Sequence, residues 1–97
     1  MKFDQVLETT YYTKGFFNVK VDFDKFIRTD NGPIAIQLGY GGYSIAGRVD
    51  RKSNLNGTAR IHGKSELRNW FKKHFVERAT MIVDIQAPEH IVLLPKP

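Results

Sequence analysis

Most of the chain alternates apolar and polar residues with a period of two, which predicts strands with one buried face. In "FFNVKVD", Phe17, Val19 and Val21 point one way while Asn18 and Lys20 point the other. Ile34, Ile36 and Leu38 share a face in "GPIAIQLG". In "YSIAGRVD", Tyr43, Ile45, Gly47 and Val49 oppose Ser44, Ala46, Arg48 and Asp50. In "GTARIHG", Ala59 and Ile61 oppose Thr58, Arg60 and His62. "TMIVDIQ" and "HIVLL" predict two further strands about the turn-like "APE", and a first strand precedes Glu8.

Two stretches have helical spacing instead. "VDFDKFI" sets Val21 or Phe23 with Phe26 and Ile27, enough for one or two turns, with Asp22 or Asp24 as its cap. "KSELRNWFKKHF" carries an apolar stripe of Leu67, Trp70, Phe71 and Phe75. Ser65 is its expected N-cap, Glu66 lies in its first turn, and Lys72, Lys73 and His74 lie in its last, all matching the helix dipole. The expected order is strand, strand, short helix, strand, strand, strand, helix, strand, strand. Seven short strands in so short a chain do not make one flat sheet. The expectation is a mostly β fold with two short helices, a seven-stranded open barrel whose ends the helices plug.

Composition narrows the function. The 97 residues, 41% apolar and 12% aromatic, suffice for a single domain spanning residues 1–97. The Pro-rich tail "LLPKP" is where that domain ends or where a longer protein was cut. The absence of cysteine excludes disulfides and thiolate metal sites. The longest apolar run, "IVLL", is too short to cross a bilayer, so no membrane partner and a cytoplasmic location are expected. Net charge is +5, and its location matters more than its size. From Arg48 to Lys73, eight Lys/Arg face only Asp50 and Glu66, whereas the rest of the chain holds seven Lys/Arg against eight acids. The whole cationic excess therefore lies in one segment, the footprint of a polyanion binder.

That segment contains the predicted hairpin "RVDRKSNLNGTARIHG". Asn56-Gly57 supplies a turn tolerant of positive φ. Arg48, Asp50, Thr58, Arg60 and His62 fall on its outer face, and Arg51, Lys52, Ser53 and Asn54 at its tip. Arg and Asn are the side chains that bind guanine and adenine in bidentate fashion. A second candidate is "ETTYYTKG", between the first two strands. Thr9, Thr10, Tyr11, Tyr12, Thr13 and Lys14 offer hydroxyls, aromatics and a cation, with one of the two tyrosines expected to pack inward.

Other patterns point to ordinary structure. "LGYGGY" matches neither the dinucleotide fingerprint nor the Walker loop and reads as a glycine-rich hairpin turn. Asp30 upstream of Asp50-Arg51-Lys52 only loosely suggests a metal-dependent nuclease, with no Pro-Asp lead-in. His62, His74 and His90 lack metal-ligand spacing, and no G-x-S-x-G motif occurs. No catalytic residue, metal or cofactor is expected.

This order of elements, with basic arms after the first and fourth strands, resembles the DNA-binding pseudobarrel of the B-three type. That fold occurs in plant transcription factors and in effector domains of type II restriction endonucleases. The resemblance runs from about Val6 to Leu94 and includes "FFNVKVDFDKFI" and "LRNWFKKHFVERATMIVDI". This chain has "VERAT" where family members usually have Gly-Asp before the penultimate strand, and the plant signature in the first arm is absent. The restriction-enzyme branch is therefore favoured. The resemblance implies two arms gripping the major groove. The first would be Thr9–Lys14 with Lys20; the second would be Arg48, Asp50, Arg51, Lys52, Ser53, Asn54, Asn56, Thr58 and Arg60. Lys14, Lys52 and Lys64 would contact phosphates. The expected function is sequence-specific recognition of double-stranded DNA, without catalysis, beside a fused or associated nuclease domain. The alternatives are a small barrel binding RNA or single strands through Tyr11, Tyr12, Tyr40 and Tyr43, or an adaptor whose basic face meets an acidic protein.

Overall fold

The alternating segments do become strands, and every one of them joins a single sheet. The computed structural model describes residues 1–97. The strands are β1 (Lys2–Val6), β2 (Phe16–Asn18), β3 (Gly32–Leu38), β4 (Ser44–Asp50), β5 (Arg60–His62), β6 (Thr80–Ala87) and β7 (His90–Pro95). Their order in the sheet is β1-β6-β7-β3-β4-β5-β2. All neighbours are antiparallel except β3 and β7, which run parallel. The sheet curls into an open half-barrel with β1 and β2 as its two edges.

The inward faces follow the period-two pattern. Ile34, Ile36, Ile45, Val49, Ile61, Phe17, Val83, Ile91 and Leu93 are buried in one cluster with Leu67, Trp70 and Phe71. Fully burying side chains of this size contributes about 1.5–3 kcal/mol each. Asp84 is the one buried acid, and it accepts hydrogen bonds from the Tyr40 hydroxyl and, at 2.7 Å, from Gln86 Nε2.

Three helical segments occur where two were expected. The long one, α2 (Lys64–His74), carries the expected acidic first turn and basic last turn. Its N-cap is Gly63 rather than Ser65, and no side chain caps it. Gly63 is required there because an added Cβ would sit 2.3 Å from Leu67 Cβ. The short one is a 3-10 helix at Val21–Phe26 with Lys20 as N-cap. Val21 consequently leaves the inward row and is exposed. Phe23 packs back on β1, its ring stacked 4.9 Å from that of Phe3.

The third segment lies in the first arm, between the first two strands, where no helix was expected. Thr9–Lys14 is an α-helix, α1, that packs on α2. Its sequence, TTYYTK, is a poor helix former, so docking stabilises it rather than propensity. Gly15 ends it at φ 76°, and the Gly63 N–H donates to Gly15 O at 3.0 Å. A Cβ at Gly15 would meet Lys64 O at 2.2 Å, so only glycine fits this close approach.

The sequence "LGYGGY" forms the expected turn between β3 and β4. Gly39 and Gly41 take positive φ, and the Leu38 N–H donates to Tyr43 O at 3.0 Å.

Candidate nucleic-acid interface

The pairing register determines which side chains share the outer face at the β2 edge. Phe16 pairs with His62 and Asn18 with Arg60 across β2 and β5. Arg48 pairs with His62, and Asp50 with Arg60, across β4 and β5. Because alternate residues point outward, Phe16, Asn18, Arg60, His62, Arg48 and Asp50 form one outward strip across three strands. The inward partners Phe17, Ile61 and Val49 are fully buried beneath it.

A chain of contacts joins this strip to both expected arms. The Tyr11 ring in α1 meets Phe16 edge-on at 5.4 Å. The Arg60 guanidinium lies over Phe16, 4.5 Å from its centroid. Arg60 also donates to Asn18 Oδ1 at 3.0 Å and to Asn54 Oδ1, in the β4–β5 loop, at 3.2 Å. The α1 end and the loop therefore flank one continuous surface.

Acids do little to neutralise that surface. Arg48, Lys14, Lys52 and Lys64 are exposed and make no ion pair within the chain. Arg48, His62 and Lys64 line one hollow of about 190 Å³ with Ala46 and Gly47. Asp50 is the strip's only carboxylate, and its own loop engages it. It accepts from the Lys52 N–H at 2.8 Å, from the Ser53 N–H at 3.2 Å and from the Ser53 hydroxyl. His62 Nε2 lies 3.4 Å away. These bonds, led by the Ser53 hydroxyl, hold the Asp50 pKa at about 2, below its usual 3.8.

Other expected contact residues sit differently. Arg51 was expected to point outward at the tip; its guanidinium turns inward instead. It donates to Asp24 Oδ2 at 2.8 Å, Gly57 O at 3.1 Å, Arg28 O at 2.8 Å and Ile27 O at 3.3 Å. Asp24 does not cap the 3-10 helix. Its second oxygen accepts the Ala59 N–H at 2.8 Å, so Asp24 and Arg51 together clamp the base of the hairpin loop. Thr58 is buried rather than outward, its hydroxyl donating to Asn56 Oδ1 at 2.7 Å. Asn54 donates to Asn18 Oδ1 at 3.0 Å and to Thr58 O at 3.1 Å. These residues brace the loop.

In α1, Tyr11 and Tyr12 both pack partly against the core. The Tyr12 hydroxyl faces Phe75 O at 3.4 Å, and Thr13 Oγ1 donates to Thr9 O at 2.9 Å. Thr10 and Lys14 remain exposed. Lys20 lies over the Phe3 ring, 6.0 Å from its centroid, at the seam with β1 rather than on the strip. Sequence reasoning left out Phe16 and Asn18 as site residues: alternation set Asn18 on an outward face, but only the β2–β5 pairing sets the two beside Arg60. It also left out Asp24, which nothing local marks.

No group of three or more His, Asp or Glu side chains comes together in the fold, and Asp30 is bound separately by Arg28 Nε at 2.7 Å. No helix is long and apolar enough to cross a membrane.

No protein-family model matches the chain, and no curated protein matches it. Among solved structures, a hypothetical Arabidopsis thaliana protein has a similar fold, with a TM-score of 0.67 at 11% identity. The similarity covers 97% of this chain and 87% of that one. At that identity the likeness is one of fold.

Proposed function

We propose that the chain is a DNA-binding pseudobarrel of the B-three type that recognises double-stranded DNA in a sequence-specific way. In this reading it is a recognition module without chemistry of its own, of the kind found beside a restriction nuclease. The observation that carries it is the outward strip on β2, β5 and β4. Arg48 on the strip, and Lys14, Lys52 and Lys64 on the elements that flank it, make no ion pair, and structured elements, α1 and the braced loop, stand at its two ends.

The roles divide by what each side chain is free to do. Arg48, Lys14, Lys52 and Lys64 have no internal partner and suit phosphate contacts, which position the duplex. Arg60 is held in place by Asn18, Asn54 and the Phe16 ring, with donors left over. A guanidinium oriented in this way suits bidentate contact with a guanine edge.

The test is anisotropy titration with a duplex selected from a random pool, run at several salt concentrations. Four neutralised phosphates give a slope of log K against log salt of roughly −3.6. Single strands of the same sequence should compete poorly. A flat salt response, or single strands that bind as tightly as the duplex, overturns the proposal.

A further inference from the structure

Resting on the duplex-binding reading, one side chain in the β4–β5 loop stands apart. The polar residues around the apex turn onto the loop: Ser53 donates to Asp50, Asn54 binds Asn18 and Thr58, and Asn56 Oδ1 takes the N–H and hydroxyl of Thr58. Leu55 is left projecting, with 111% of its reference surface exposed, the most of any large apolar residue in the chain. The loop beneath it is rigidly tied. The Gly57 N–H donates to Asn54 O at 3.0 Å, and Arg51 anchors the base to Asp24. A leucine held out in water at a braced apex has no packing in the fold and is free to meet a partner outside.

We propose that Leu55 reads the 5-methyl group of a pyrimidine in the major groove. The base edges there present hydrogen-bond donors and acceptors, and one apolar group, the methyl at C5 of thymine. Leu55 cannot engage the donors or acceptors. It can bury that methyl, or the same methyl on 5-methylcytosine. A preorganised apex makes the contact productive, because little loop entropy is lost on binding.

The test compares wild type with Leu55→Ala on the selected duplex. In one set of duplexes each thymine in turn is replaced by uracil, which removes only the methyl. In a second set each cytosine in turn becomes 5-methylcytosine. Wild type should lose about fourfold at one thymine, or gain as much at one methylated cytosine, the value of burying one methyl-sized group. The first set marks thymine as the source and the second marks methylcytosine. Leu55→Ala should bind the parent duplex roughly tenfold more weakly and should respond to neither change. Its unfolding temperature should match wild type, because the side chain has no packing to lose. If both proteins respond equally, or neither responds, the assignment of Leu55 is overturned while duplex binding stands. Failure of wild type to bind any duplex overturns the functional reading itself.

Discussion

Replacing Arg51 with alanine separates a structural arginine from a base-reading one. An outward arginine would cost binding and leave stability untouched. Arg51 instead is about one-sixth exposed and donates to the Asp24 carboxylate and to four backbone carbonyls, those of Asp24, Ile27, Arg28 and Gly57, while Asp24 is about one-quarter exposed. A hydrogen bond to a charged group contributes about 1.5–3 kcal/mol net, and these are not additive. Breaking a buried ion pair by removing one partner costs about 3–5 kcal/mol, because the other charge is stranded. Partial exposure lets water reach Asp24, so the lower end applies, about 3 kcal/mol. For a domain of this size each kcal/mol moves Tm by roughly 4–8 °C, so Arg51→Ala should melt about 12–24 °C below wild type. Arg51→Lys keeps the charge but cannot fork across several acceptors, and should fall between the two. Far-UV circular dichroism on heating measures the change. A Tm for Arg51→Ala within about 2 °C of wild type would refute the clamp and return Arg51 to the contact surface.

Arg48→Ala should leave stability within about 0.5 kcal/mol of wild type, since Arg48 has no partner, while weakening duplex binding and making the salt slope shallower by about 1. Unchanged affinity would remove Arg48 from the interface. Gly15→Ala should destabilise by at least about 2 kcal/mol in urea denaturation, because it combines a positive-φ residue with a Cβ 2.2 Å from Lys64 O. The Asp50 carboxyl carbon, followed by NMR, should titrate near pH 2 rather than at 3.8. Its pKa is lower folded than unfolded, so its contribution to stability is full above about pH 4 and is lost as pH falls through about 2. A midpoint at the ordinary value would show that the Ser53 and His62 contacts do not hold in solution.

Much of this fold was legible in the chain because its signals are local. Period-two alternation depends only on one face of a strand being buried, and it marked Ile34–Leu38, Ile45–Val49 and Ile61 correctly. Glycines that need positive φ, Gly39, Gly41 and Gly57, marked the turns of both hairpins. The amphipathic stripe and charge placement of Lys64–His74 marked α2. Charge bookkeeping located the cationic segment, since it needs no geometry at all.

What tertiary structure decided were the features built from residues distant in sequence. TTYYTK reads as a loop because β-branched and aromatic residues disfavour isolated helices, and its helix exists because Gly15 lets α1 lie against Lys64 and α2. Asp24 and Arg51 carry no motif, and only the curl of the sheet brings the 3-10 helix under the hairpin so that one grips the other. The same closure brought Asn18 to Asn54, whereas Asn56 binds Thr58 two residues away and Leu55 stays outside. A side chain's outward direction along a strand follows from alternation, but in a loop it follows from whichever partners the fold delivers, and for Arg51 and Asn54 those include groups brought near only by long-range packing.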